Sequence, residues 1–263
     1  MDDGADQMLA CGLRRDGREH RQAHLRRIGP HERGALLDGG RGRLPAERIS
    51  AVLEHALVSI GEIEPITVAD TRELTIGDRD LLVLALCRLL CGPELDCIFS
   101  CSCGERLELT LDLAPILDAG PAAAPAEIVG DRGTLRAIHG AEHERASRLA
   151  LLDRGAARRE LATVCAGSPD ANLDELDELL SELDPYAEIE LGGSCPACDA
   201  TATAILDPIT HLWEELQREQ DRLEREIHVL ALNYHWCERD IVALAPERRA
   251  RYLALLVGHG PAQ

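Results

Sequence analysis

The chain of 263 residues contains no lysine. Every fixed positive charge is an arginine, and the excess of acid leaves a formal net charge of −19. A Walker-type phosphate loop places a lysine on the nucleotide phosphates, so that class of hydrolase is excluded. The same imbalance argues against a broad nucleic-acid surface or an anionic-membrane surface, because both require a positive face. Aromatic residues are scarce: Phe99, Trp213, Trp236, Tyr186, Tyr234 and Tyr252 complete the set. Leucine, alanine and valine must fill the core, which points to a mainly helical fold. No run of about twenty apolar residues is present to span a membrane. No amino-terminal apolar stretch has signal-peptide length. Cytoplasmic synthesis and no membrane partner are therefore expected. A Gly-x-Ser-x-Gly elbow is missing, and no acid pair stands out from the general acidity. Neither catalysis nor a small-molecule substrate is expected.

What the chain does have is cysteine, ten in all. In a reducing compartment these thiols are available to metal rather than to disulfides. Cys195-Pro196-Ala197-Cys198 has the two-residue spacing of a metal knuckle, and Cys101-Ser102-Cys103-Gly104 forms a tighter partner to it. Four thiolates from two such turns make a closed tetrahedral zinc site of the structural kind. The expected ligands are Cys101, Cys103, Cys195 and Cys198, with Cys97 the alternative member of the first pair. A catalytic zinc keeps an open position, usually among histidine or carboxylate ligands, so an all-cysteine set points to structural zinc.

Each knuckle lies beside an alternating, strand-like segment. Leu107, Leu109 and Leu111 face one way while Glu108, Thr110 and Asp112 face the other. Thr201, Thr203 and Ile205 alternate with Ala200, Ala202 and Ala204. The fold class expected is α+β, mainly helical, with a split zinc-ribbon-like pair of β-hairpins and a helical insertion between them. Residues 1–44, with Gly, Arg and Asp mixed without period, read as a disordered arm. Residues 45–93 form an N-terminal helical segment. It opens at Pro45 and ends before Gly92-Pro93, and Asp78 caps its second helix or charges the first turn. Residues 94–114 and 186–207 make the split module. Residues 115–185 are the insertion, expected as helices over 142–152, 156–165 and 173–183. Residues 208–256 form the C-terminal helical segment.

The histidine pairs are weaker signals. His20/His24 and His139/His143 are each four apart; the first pair has no third ligand nearby in sequence, and the second has Glu142 and Glu144 as neighbours. His139–Glu144 nonetheless lacks the metalloprotease order. Trp236 and Tyr234 read as a cap docked on a helix end. Trp213, Trp236 and Tyr252 are the candidates for partner contacts.

The chain resembles a family of tail and baseplate proteins from contractile phages and phage-derived contractile injection systems. That family is distantly related to one named after a T4 base plate protein. The stretches that carry the likeness are Leu74-Thr75-Ile76-Gly77-Asp78-Arg79-Asp80-Leu81-Leu82, Cys103-Gly104-Glu105-Arg106-Leu107 and Cys195-Pro196-Ala197-Cys198. They continue in family order with Leu212-Trp213-Glu214-Glu215, Glu226–Ala231, Tyr234-His235-Trp236 and Arg251-Tyr252-Leu253. This sequence departs from the family at Ser100-Cys101-Ser102-Cys103, where Cys-x-x-Cys is usual, and at Asp199, where a glycine often follows the second knuckle. The resemblance implies a non-catalytic structural or assembly protein whose partners are tail or baseplate proteins, incorporated in a phage or phage-tail-like particle. The competing expectation is a zinc-ribbon/helix-turn-helix nucleic-acid regulator. It would use the short helices after Trp236, with Arg239, Arg248, Arg249 and Arg251 supplying charge.

Overall fold

A computed structural model describes residues 4–130 and 133–258. The chain divides into two compact units, residues 1–28 with 40–212, and residues 29–39 with 213–263.

The first unit is built around one helix. Thr75 opens α4 (Ile76–Cys91), its hydroxyl accepting from the Asp78 amide at 3.3 Å, and Gly92 ends it at φ 104°. Leu81 through Cys87 are seven consecutive residues at 1 % exposure or less. A helix apolar on all sides is buried on all sides, and each such leucine contributes about 1.5–3 kcal/mol of burial.

Before α4 come α2 (Pro45–Ala56), started by Pro45 with Glu47 accepting from the Leu44 amide, and α3 (Val68–Glu73), capped by Thr67. A three-stranded antiparallel sheet runs in the order β1 (Gly4–Arg15), β2 (Arg18–Arg26), β3 (Leu57–Ile60). The expectation of a disordered arm over 1–44 is thereby corrected for residues 4–44; residues 1–3 lie outside the described residues. Asp16 and Gly17, at φ 52° and 76°, form the two-residue hairpin turn whose twist matches paired strands. Leu9, Leu13, Ala23 and Leu25 are buried at 2 % exposure or less, and β1 packs on α4. Residues 30–39 are helical as well, as α1 (Pro30–Gly39) of the second unit.

After α4, β4 (Glu94–Ser100) and β5 (Arg106–Asp112) pair without interruption from Glu94↔Asp112 to Ser100↔Arg106. The second hairpin is β8 (Glu190–Ser194) with β9 (Thr201–Ile205). The insertion between them is mixed rather than helical throughout. It holds the one-turn α5 (Ala114–Leu117) and a hairpin of β6 (Glu127–Gly130) and β7 (Gly133–Arg136). Then follow α6 (Gly140–Ala150), α7 (Arg154–Ala166), a 3-10 turn at Leu173–Glu175 and α8 (Asp177–Leu183). Leu135, Ala137, Leu176 and Leu183 form its core, with Ile128, Leu179 and Leu180 against them.

The insertion is tied to the start of α4 by hydrogen bonds. Ile76 donates to the Ile138 carbonyl at 3.2 Å and Gly140 to the Leu74 carbonyl at 2.9 Å. Asp184, 6 % exposed, accepts from the Gly77 amide at 2.9 Å and the Thr75 hydroxyl at 3.0 Å. The middle and the far end of the inserted segment thus meet the first turn of α4, taking up the Ile76 and Gly77 amides among those that a helix start leaves unpaired.

In the second unit, α9 (Pro208–Tyr234), whose first turn belongs to the first unit, is followed by α10 (Glu238–Val242) and α11 (Pro246–Gly258). Arg33 is ion-paired to Glu219 at 2.6 Å, and Arg249 to Glu226 at 2.8 Å.

Candidate metal centre

The site is assembled from two turns at the tips of β4–β5 and β8–β9. In the first, the Cys101 amide donates to the Glu105 carbonyl at 2.8 Å and the Gly104 amide to the Cys101 carbonyl at 2.9 Å. Gly104 sits at φ 93°, a backbone angle that side chains disfavour, and this allows the knuckle to close with one residue between its cysteines. In the second, the Asp199 amide donates to Cys195 and the Cys195 amide to Ala200, both at 2.9 Å. Asp199 takes the left-handed conformation, φ 56°, a region that aspartate tolerates better than most residues.

The two hairpins pack against each other beneath the knuckles. Cys101, Leu107, Cys195 and Ala202 form one small core with Phe99 against it. Gly193 lies where an added Cβ would come 3.5 Å from Leu107 and 3.7 Å from Phe99. This packing brings together turns that are more than ninety residues apart in sequence.

The sulfurs of Cys101, Cys103, Cys195 and Cys198 all lie within 4.8 Å of one another. Cys101 Sγ is 3.7 Å from Cys198 Sγ, and Cys103 Sγ is 3.6 Å from Cys195 Sγ. A disulfide would hold sulfurs about 2.05 Å apart, so these are four free thiols. Four thiolates about 2.3 Å from one ion define a tetrahedron with edges of about 3.8 Å. The residues therefore fit a metal bound by all four, and they are the only such group of three or more candidate ligands among the described residues.

Hydrogen bonding from the Cys103 amide, with the neighbouring thiols, brings the Cys101 thiol down to about 6. The Glu105 amide favours a Cys103 thiolate, yet the surrounding sulfurs push that thiol up to about 12. Cys198, although its thiolate is favoured by the Ala200 amide, is also raised, by Cys101 and Cys195. One negative charge is accommodated and further ones are resisted, which is the electrostatic demand that a cation at the centre meets.

The open choice over the first pair resolves to 101/103. Cys97 is buried within β4, its thiol directed to the Leu95 carbonyl at 3.7 Å. The histidine pairs play other parts. His24 pairs with Asp6 at 2.8 Å, and His20 accepts from the Glu62 amide at 3.3 Å. His139 precedes α6 as its cap residue, and His143 is held down to about 4 by burial beside Arg79.

No family model, curated protein or solved structure matches this chain.

One sequence-based site assignment needs correction. Trp213 is only 4 % exposed and serves as core rather than as a surface anchor. Of the two roles read for Asp78, it is the acidic residue of the first turn of α4, while Thr75 is the cap. Asp78 is fully buried and accepts the amides of Ala10 at 2.7 Å, Cys11 at 3.1 Å and Gly12 at 2.6 Å, so its role is to hold β1. Trp236 and Tyr252 are half-buried in one aromatic cluster. Trp236 stacks on Tyr234 at 4.9 Å between ring centres, and Tyr252 meets both edge-on. Of the arginines assigned to nucleic acid, Arg249 is 8 % exposed and bound to Glu226 and the Leu244 carbonyl. Among the described residues no helix is long and apolar enough to cross a membrane.

Proposed function

We propose that this chain is a non-catalytic structural or assembly protein of a contractile tail or injection-system baseplate. On this reading the four-cysteine cluster holds a structural zinc ion and completes a split zinc ribbon. Zinc suits a set of four thiolates from two short turns, and four protein ligands leave it no open position for substrate. When bound, the ion supplies a cross-link: it ties the two ends of the inserted segment together with a binding energy that adds to folding. The chain's own residues supply the rest. Leu107, Phe99 and Ala202 pack the hairpins, while Gly104 and Asp199 shape the turns.

One observation carries the assignment: the stretches that resemble the tail and baseplate family occupy the junctions of this fold. Leu74–Leu82 is the helix start on which β1 and two segments of the insertion, at Ile138–Gly140 and at Asp184, converge. The two cysteine stretches meet in one cluster. Tyr234-His235-Trp236 and Arg251-Tyr252-Leu253 supply the aromatic cluster that closes the C-terminal helices. Surplus acid on the surface suits contacts to basic faces of other proteins and opposes self-association.

The test is co-expression of the tagged chain with sheath, hub and baseplate components of a contractile tail. Recovery of a stoichiometric complex with one of them is expected. A chain that stays alone while those components assemble, or that instead shifts a DNA fragment at physiological salt, would overturn the assignment.

A further inference from the structure

The insertion carries a second feature, separate from the cysteines. Between the β6–β7 hairpin and the segment from α7 to α8 lies a groove of about 540 Å³. Ile128, Leu135, Ala166, Ala171, Leu176 and Leu179 contribute to its lining. The alanines matter here: small residues on the α7 side leave the floor recessed, while Leu135 and Leu176 beneath are already packed. Asp170 and Glu175 stand at the groove itself. Asp174, Asp177, Glu178 and Glu182 are exposed on the adjoining turn and helix, and of these Asp174 is paired with Arg158 at 2.9 Å. No arginine occurs between Arg159 and Arg218, and Glu175 accepts from the Asn172 side-chain amide at 3.0 Å.

We propose that this groove is a docking site for a segment of another protein that carries apolar side chains on one face and arginine or lysine beside them. The apolar floor accounts for the anchors and the acidic rim for the flanking positive charge. The rim would speed encounter and select against acidic segments, while the recessed floor would set how long the complex lasts. The choice of a protein occupant rests on the protein-contact reading above. The groove itself does not depend on the metal centre or on any tail component.

The probe is a short fluorescein-labelled helical peptide with leucines on one face and arginines on the other, followed by fluorescence anisotropy with the full-length chain. A scrambled peptide of the same composition measures charge attraction alone. Ala171→Trp fills the groove without altering charge, and Asp170→Asn with Glu175→Gln removes the rim charge without altering shape. Each is expected to weaken the amphipathic peptide by about tenfold or more, the loss typical of an interface hot spot. Glu108→Gln, on the exposed face of β5, should leave binding unchanged. The circular dichroism of each variant reports its folding, and the charge pair serves if the tryptophan variant does not fold. Equal binding of the scrambled peptide, no binding, binding unmoved by either groove variant, or occupation of the groove by a second copy of this chain would each overturn the proposal. Peptide binding without any tail complex would retain the groove and remove the tail assignment; the reverse result would do the opposite.

Discussion

Gly77 donates its backbone amide to the carboxylate of Asp184 at 2.9 Å, and no larger residue fits in its place. A Cβ there would come 2.3 Å from Asp184 Oδ1 and 2.7 Å from the Ala187 amide. The glycine is required by close approach, since the returning end of the insertion lies directly on the first turn of α4. Gly77→Ala is expected to cost about 1–3 kcal/mol by overpacking. Asp184→Ala should cost about as much by leaving a buried amide unpaired. Urea unfolding of the two variants measures both, and midpoints equal to the unmodified chain would contradict the junction.

The first strand hangs on another carboxylate of the same turn. Asp78→Ala removes the acceptor of three amides at once and should cost on the order of 3 kcal/mol or more, given about 1–3 kcal/mol for each orphaned group. Limited proteolysis should then cut within residues 4–26 before anywhere else, because β1 is held to α4 at this point. Cleavage that starts in the cysteine hairpins instead would show that Asp78 does not anchor the strand.

These two junctions also mark what was legible in the sequence. The unbroken apolar run Leu81–Leu86, the alternation in 106–112 and the spacing of Cys195 and Cys198 lead directly to α4, β5 and the second knuckle. The first sheet was not legible from periodicity, because a bulge between Met8 and Leu13 breaks the alternation of β1 and Gly12 turns the chain there at φ 67°. The Asp16-Gly17 dipeptide, a strong hairpin signal, was the cue that could have located it. The β6–β7 hairpin has only four residues on each strand, too few to carry a pattern. The carboxylates of Asp78 and Asp184 find their partners 66 to 109 residues away in sequence, and no local rule reaches that far. Cysteine spacing alone likewise left Cys97 and Cys103 as rivals; the packing of Leu107 and Ala202 decides between them.

The buried carboxyls set a pH dependence. Burial pushes Asp184 up to about 7, against the ionising influence of the Gly77 amide and the Thr75 hydroxyl, with Asp78 adding repulsion. Asp80 is likewise raised to about 7 by burial, Arg79 opposing and Asp184 and Asp207 adding to it. A carboxyl raised on folding stabilises fully below its unfolded value near 4 and loses that contribution as pH rises through about 7. His143 works the other way. Burial draws it down to about 4, so its contribution is present above about 6.5 and is lost as pH falls. The effects oppose one another over about pH 4 to 6.5; above that the carboxyls act alone. With metal supplied at both values, the urea midpoint should be lower at about pH 8 than at about pH 6.5. Asp184→Asn should shrink the difference, and a midpoint that rises with pH would contradict the assignment.

Glu144 tests the contact between the insertion and the N-terminal helices. It is 3 % exposed, accepts from Arg72 Nε at 3.0 Å through both oxygens, and takes the Ser50 hydroxyl at 2.5 Å. Glu144→Ala leaves the buried Ser50 hydroxyl without this acceptor, while Arg72, 39 % exposed, regains water, so the expected cost is about 1–3 kcal/mol. Thermal unfolding of the variant checks this, and a change below about 1 kcal/mol would mean the pair is effectively solvated.

The central claim is that two distant turns are clasped by one ion through four sulfurs. Elemental mass spectrometry of protein purified without chelator, with Cys195→Ser and Cys198→Ser measured alongside, tests it most directly. The account expects one zinc per chain, lost in the double variant together with the resistance of the two hairpins to proteolysis. Protein that is folded and free of bound metal, even after incubation with zinc, would contradict it.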